Sequence, residues 1–104
     1  TGNIGYVIEN YAKKYNFSVI KDFSGHGIGK NLHESPEIPN FGEKGKGDIL
    51  LENTIIAIEP MIAEGTGEVE ILDDGWTVVT KDRKYASHYE NCVLVKKGGY
   101  EVLS

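Results

Sequence analysis

A chain of 104 residues with 39% hydrophobic content is long enough for one domain with a modest core and too short for two. A formal net charge of -5, with no Lys/Arg cluster beyond pairs such as Lys13-Lys14 and Lys96-Lys97, argues against nucleic acid and a membrane surface as partners and leaves small molecules or peptides. No apolar run approaches the roughly 18 residues of a membrane helix, no charged-then-apolar leader opens the chain, and Cys92 stands alone, so a reducing, cytoplasmic setting is expected.

In chain order, Ile4, Val7, Ile8, Tyr11 and Tyr15 recur at helical spacing and predict an amphipathic helix from Asn3 to about Tyr15. Asn3 or Thr1 would cap its start and Asn16 would close it. Phe17 to Ile20 reads as a short strand. From Asp22 to Asp48 glycine, proline and polar residues dominate, which predicts a long loop of the kind that is functional or disordered. Thr54 to Ala63, Val69 to Leu72, Trp76 to Thr80, Tyr85 to Val95 and Tyr100 to Leu103 read as strands. Their separators, Gly65-Thr66-Gly67, Asp73-Asp74-Gly75, Lys81-Asp82-Arg83 and Lys97-Gly98-Gly99, carry hairpin chemistry and predict an antiparallel sheet. The fold class expected is therefore α+β, with one main N-terminal helix.

Two acids interrupt apolar runs. Alternation puts Glu59 on a face with Ile55, Ala57 and Met61, and Glu90 on a face with His88, Cys92 and Leu94. A buried, unpaired carboxylate is too costly to keep ionised, so it must be protonated, paired or bound to a metal; the alternative for each is a strand-end acid facing water. His26 lies between Gly25 and Gly27, where a backbone without side chains lets a ring and a ligand approach closely, or else it is a solvated loop histidine. Together, His26, Glu59 and Glu90 form a set suited to Zn, Mn, Fe or Co. His33, between Leu32 and Glu34, is by itself an ordinary loop histidine.

The stretch Gly25-His26-Gly27-Ile28-Gly29, with Leu32-His33-Glu34-Ser35-Pro36, Ile38-Pro39-Asn40-Phe41-Gly42, Ile58-Glu59-Pro60-Met61, Asp74-Gly75-Trp76-Thr77, Thr80-Lys81-Asp82-Arg83 and Tyr89-Glu90, resembles the bacterial-type (type I) methionine aminopeptidases. The resemblance runs from Ile4 to Leu103 and implies part of a pita-bread fold. It implies metal-dependent hydrolytic removal of N-terminal methionine from peptides and nascent proteins. His26, Glu59 and Glu90 would be metal ligands, with Glu90 bridging two divalent ions (Co, Mn, Fe or Zn) in the complete enzyme. Glu59 would also shuttle a proton, and His33 would hydrogen-bond the substrate carbonyl. Trp76 and Leu32 would line the methionine pocket. Leu32 stands where the family is often aromatic, and Asn91 where a histidine commonly follows the bridging glutamate, departures that bear on pocket shape.

In the family, two aspartates, a further histidine and part of the pocket come from the preceding half of a pseudo-twofold fold. Asp22, Asp48, Asp73, Asp74 and Asp82 match none of those positions. The expectation is a single domain, residues 1–104, forming the C-terminal part of a catalytic domain, inactive alone and with partial or no metal occupancy. Its partners would be peptides beginning with methionine, together with a missing N-terminal half or a second copy. The alternatives are a non-catalytic peptide-binding module, which need not keep this ligand set, and a related proline-peptide hydrolase.

Overall fold

A computed structural model describes residues 1–104 as an α+β arrangement of one helix and ten short strands. In chain order these are α1 (Gly2–Lys14), β1 (Ser18–Val19), β2 (Ser24–Ile28), β3 (Glu34–Pro39), β4 (Ile55–Ile58), β5 (Met61–Ala63), β6 (Val69–Ile71), β7 (Val78–Thr80), β8 (Ala86–His88), β9 (Asn91–Lys96) and β10 (Gly99–Val102). No helix is long and apolar enough to cross a membrane.

The helix ends as its sequence indicates. Asn16 takes a φ of 64°, its N–H bonds to the Lys13 carbonyl at 3.0 Å, and the Phe17 N–H reaches back to the Ala12 carbonyl at 2.9 Å. That pair of bonds is the Schellman closure, and asparagine tolerates the left-handed backbone it needs. The start is built differently from expectation. Thr1 occupies the cap position without a capping side-chain bond; its Oγ1 accepts from the Asp48 N–H at 2.9 Å, and Asn3 Oδ1 accepts from the Gly45 N–H at 2.7 Å. Both polar side chains thus tie the 45–48 segment to the helix start. The expected apolar stripe is also only half used. Gly2, Gly5 and Ala12 are buried, whereas Val7, Tyr11 and Tyr15 face outward. The small residues bring the helix close to the segment after β3, where a Cβ on Gly5 would lie 2.0 Å from the Phe41 carbonyl oxygen.

The strands form a five-stranded sheet in the order β10-β9-β4-β2-β3, a three-stranded sheet β1-β5-β8, and the hairpin β6-β7. Every pairing is antiparallel. The long loop predicted from Asp22 to Asp48 is incorrect, because β2 and β3 lie within it and β2 is flanked by strands on both sides. Gly25 and Gly27 are buried strand residues, and they serve close approach. A Cβ on Gly25 would stand 2.0 Å from the Ala57 carbonyl oxygen, and one on Gly27 would stand 2.3 Å from that of Ser35. Glycine inside a strand marks such contacts as readily as it marks a turn.

Two of the four expected hairpin turns join partner strands: Asp73-Asp74-Gly75 between β6 and β7, and the Lys97-Gly98 turn between β9 and β10. The other two, Gly65-Thr66-Gly67 and Lys81-Asp82-Arg83, carry the chain from one sheet to another. The core is small. Ile38, Ile56 and Val93 are its buried centre, flanked by Ile4, Leu50, Ile58 and Val95. Burying each such side chain contributes about 1.5–3 kcal/mol.

Two strand runs read as continuous are each broken once, and the breaks position the site. β4 passes into β5 through Glu59-Pro60, and β8 passes into β9 through Tyr89-Glu90. β4 pairs with β9 in the large sheet, while β5 pairs with β8 in the small one. Both runs therefore change sheet side by side, with the Tyr89 N–H bonded to the Pro60 carbonyl at 3.2 Å. Pro60 has no N–H to continue a ladder, which is why β4 stops there.

Candidate metal centre

The seam between the two sheets delivers both acids. Ile58 pairs with Asn91 and Met61 with His88, so Glu59-Pro60 lies opposite Tyr89-Glu90. On the neighbouring strand His26 pairs with Ala57, two residues short of Glu59, and on its other side the β2–β3 ladder shifts register between His26 and Gly27. Residues two apart share a strand face, so the His26 ring and the Glu59 carboxylate are diagonal neighbours across β2 and β4. Bulges of this kind re-aim a side chain beside a site. One ligand atom each from His26, Glu59 and Glu90 lies within 4.8 Å of the others.

The arrangement has a definite electrostatic demand. His26 Nδ1 sits 3.0 Å from the Gly27 carbonyl oxygen; that oxygen can only accept, so Nδ1 carries the hydrogen. In neutral imidazole Nε2 is then bare, yet it lies 2.9 Å from Glu59 Oε2. Two lone pairs do not rest that close without positive charge between them, either a proton or a cation shared by both. Backbone fixing of one imidazole nitrogen so that the other faces a metal is a recurrent support for metal-binding histidines. The side chains of His26 and Glu59 are only 12% and 13% exposed, while Glu90 is exposed. One nitrogen and two carboxylates, sheltered on one side and open on the other, fit a divalent cation.

His33 joins this group from the β2–β3 connection. The Asn31 N–H bonds to Glu34 Oε2 at 2.9 Å and the Gly29 N–H to the Asn31 carbonyl at 3.0 Å. The connection so folded sets the His33 ring centroid 4.0 Å from that of His26, tilted by 47°. Leu32 and Trp76 are not enclosed. They are 69% and 81% exposed, and Trp76 lies on the β6–β7 turn. Asp74 shapes that turn by accepting from the N–H groups of Trp76 (3.0 Å) and Thr77 (2.8 Å) and from the Thr77 hydroxyl. Hydrogen bonds from Thr77 and then Trp76 hold its carboxyl at a pKa of about 2.

Two residues at the centre were given no role from the sequence. His88 Nε2 lies 3.5 Å from Glu59 Oε1; its place two residues before Glu90 in an alternating run was the available signal. Asn40 is fully buried and donates from Nδ2 to the Glu59 carbonyl at 3.0 Å, while its Oδ1 has no partner. That pairing across the sheets leaves no mark at short range.

A histidine and two glutamates thus gather at a sheet seam, behind a glycine-lined strand, as a group that could hold a metal ion. The chain belongs to metallopeptidase family M24, whose model matches residues 1–97. Within that family it is similar to the methionine aminopeptidases. It is 50% identical to the methionine aminopeptidase of Clostridium perfringens over 97 residues, 93% of this chain and 39% of that protein. It is 47% identical to methionine aminopeptidase A of Synechocystis over 103 residues, 99% of this chain and 41% of that one. The crystal structure of methionine aminopeptidase from Thermotoga maritima superposes with a TM-score of 0.95 at 41% identity, covering 98% of this chain and 41% of that one. The chain thus spans about two fifths of the length of these relatives.

Proposed function

We propose that residues 1–104 form the C-terminal part of a catalytic domain that hydrolyses the N-terminal methionine from peptides and nascent proteins, and that they supply part of its active site. The observation that carries this reading is the 2.9 Å approach of His26 Nε2 to Glu59 Oε2 in a sheltered seam, with a Glu90 oxygen within 4.8 Å of both ligand atoms. In this reading His26, Glu59 and Glu90 would be ligands to divalent metal, Co, Mn, Fe or Zn, and Glu90, the open one, would be the ligand shared with a second ion in the complete site. A bound divalent cation supplies Lewis-acid polarisation of the scissile carbonyl and makes water reactive near neutral pH. Glu59 accepts the proton released by the attacking water and returns it to the leaving amine. His33 donates to the oxyanion that develops on the substrate carbonyl, a contact worth about 3 kcal/mol in comparable sites.

Only one group of three metal-capable side chains exists in these residues, so a second ion needs donors from outside them. Asp74 and Asp82 are engaged in turns, Asp82 accepting from the Thr66 and Lys84 N–H groups. Leu32 and Trp76, both exposed, wall a methionine pocket only against further protein. We therefore assign the remaining ligands to a complementary N-terminal half, expect little activity and at most partial metal occupancy without it, and place the protein in the cytoplasm, consistent with its one unpaired cysteine.

The test is a chimera in which residues 1–104 replace the corresponding segment of the Thermotoga maritima enzyme, assayed for methionine release from a Met-Ala-Ser peptide with Mn or Co. Metal-dependent release by the chimera, absent from the chain alone, is the expected result. A folded chimera without release would contradict the aminopeptidase reading, and turnover by the chain alone would contradict its partial site.

A further inference from the structure

The chain contains three histidines, and all three converge on one carboxylate and its neighbours. His26 Nε2 faces Glu59 Oε2 at 2.9 Å, the His33 ring lies 4.0 Å from the His26 ring, and His88 Nε2 faces the other Glu59 oxygen, Oε1, at 3.5 Å. The two oxygens of Glu59 thus have different partners. Oε2 shares the metal-capable group with His26, while His88 lies opposite, on β8. The antiparallel register explains its position, because His88 pairs with Met61, two residues beyond Glu59. β8 is an edge strand of the small sheet.

We propose that His88 is a positioning residue for Glu59: its Nε2–H donates to Oε1, orienting the carboxylate so that Oε2 points at the cation shared with His26. Carboxylate ligands are commonly held this way by a second donor, and losing that donor costs about 10–100-fold in metal affinity. At 3.5 Å the contact is longer than the roughly 2.7–3.2 Å of an ordinary N–H···O bond, so the exposed His88 ring must close by a few tenths of an ångström for the bond to form. The neutral imidazole suffices, since one ring N–H is the only donor required. The inference rests on the reading of Glu59 as a ligand.

Two measurements test it, and they fail separately. Without metal, 15N spectra of the imidazoles should show His88 with its hydrogen on Nε2, and Glu59→Gln should move that nitrogen's signal. A hydrogen on Nδ1 with no response to Glu59→Gln would overturn the pairing whether or not metal binds. With metal, Mn2+ titration of the chain should be weakened about 10–100-fold by His88→Ala and largely restored in His88→Gln, which keeps an N–H donor. His88 is 46% exposed in its side chain, so neither change empties a core site, and a thermal melt checks that both variants fold. Equal Mn2+ affinity in wild type and His88→Ala, or equal weakness of the Ala and Gln variants, would overturn the positioning role. Absence of Mn2+ binding in the chimera that supplies the N-terminal half, with Glu59 in place, would instead refute Glu59 as a ligand, and the proposal with it.

Discussion

Glu59 is fixed at three points: Oε2 by His26, Oε1 by His88, and its carbonyl by the buried Asn40 amide. Glu90 has no such scaffold and is exposed, so Glu90→Ala should leave the fold intact while weakening divalent binding by at least about 100-fold, the upper range for losing an outer partner alone. Isothermal titration of Mn2+ with a parallel thermal melt checks this; unchanged affinity would remove Glu90 from the ligand set. Asn40→Ala should instead act on stability. It removes a fully buried side chain and leaves the half-buried Glu59 carbonyl unpaired at the seam, a loss of about 1–3 kcal/mol, read as a lower urea midpoint. Asp74 makes a pH prediction. Its pKa falls from 3.8 to about 2 on folding, so its contribution to the β6–β7 turn is present above 3.8 and is lost as pH falls through about 2. Carboxyl NMR should give a midpoint near 2, and Thr77→Val should move it back up towards the ordinary value.

At the scale of elements, β2 is held inside the large sheet, between β4 and β3, by glycines that make room for their neighbours. Gly25→Ala would drive a methyl group into the Ala57 carbonyl, and an overpacked site of this kind costs at least about 1–3 kcal/mol. The expected outcome is a lower melting temperature together with movement of the His26 resonances, since β2 carries that ring; an unperturbed melt would refute the close packing. The same strand shows where sequence reading stopped. The helix, its Asn16 closure and the later strands were legible because their signals are local: a 3.6-residue period, a left-handed asparagine, alternation between turns. β2 and β3 were hidden because glycine and proline register in a sequence as flexibility, whereas Gly25 answers a requirement set by Ala57, distant along the chain, and Gly27 one set by Ser35 on the next strand. Likewise, the acids in apolar runs flagged Glu59 and Glu90, but that both runs change sheet at those residues emerges only from the pairing of β4 with β9 and β5 with β8.

Taken whole, the molecule buries little of what it has. Only 14 of 104 residues are buried, and the radius of gyration of 14.4 Å exceeds the roughly 13 Å of a compact domain this size. An open apolar trough of about 520 Å³, lined by Ile4, Leu50, Ile58, Tyr89, Val95 and Tyr100 among others, lies over the large sheet. Exposed apolar surface of this kind favours association, so the chain's light-scattering mass should rise with concentration and a hydrophobic dye should bind; a strictly monomeric, dye-silent chain would show the trough to be closed in solution. The central claim, that His26, Glu59 and Glu90 hold a divalent cation, is tested most directly by titrating the 15N-labelled chain with paramagnetic Mn2+, which reports weak binding. Line broadening should centre on Gly25–Gly27, Ile58–Glu59 and Tyr89–Asn91, spare the β9–β10 turn, and vanish from those residues in Glu59→Ala. Broadening centred instead on Asp73-Asp74, or unchanged by Glu59→Ala, would contradict it.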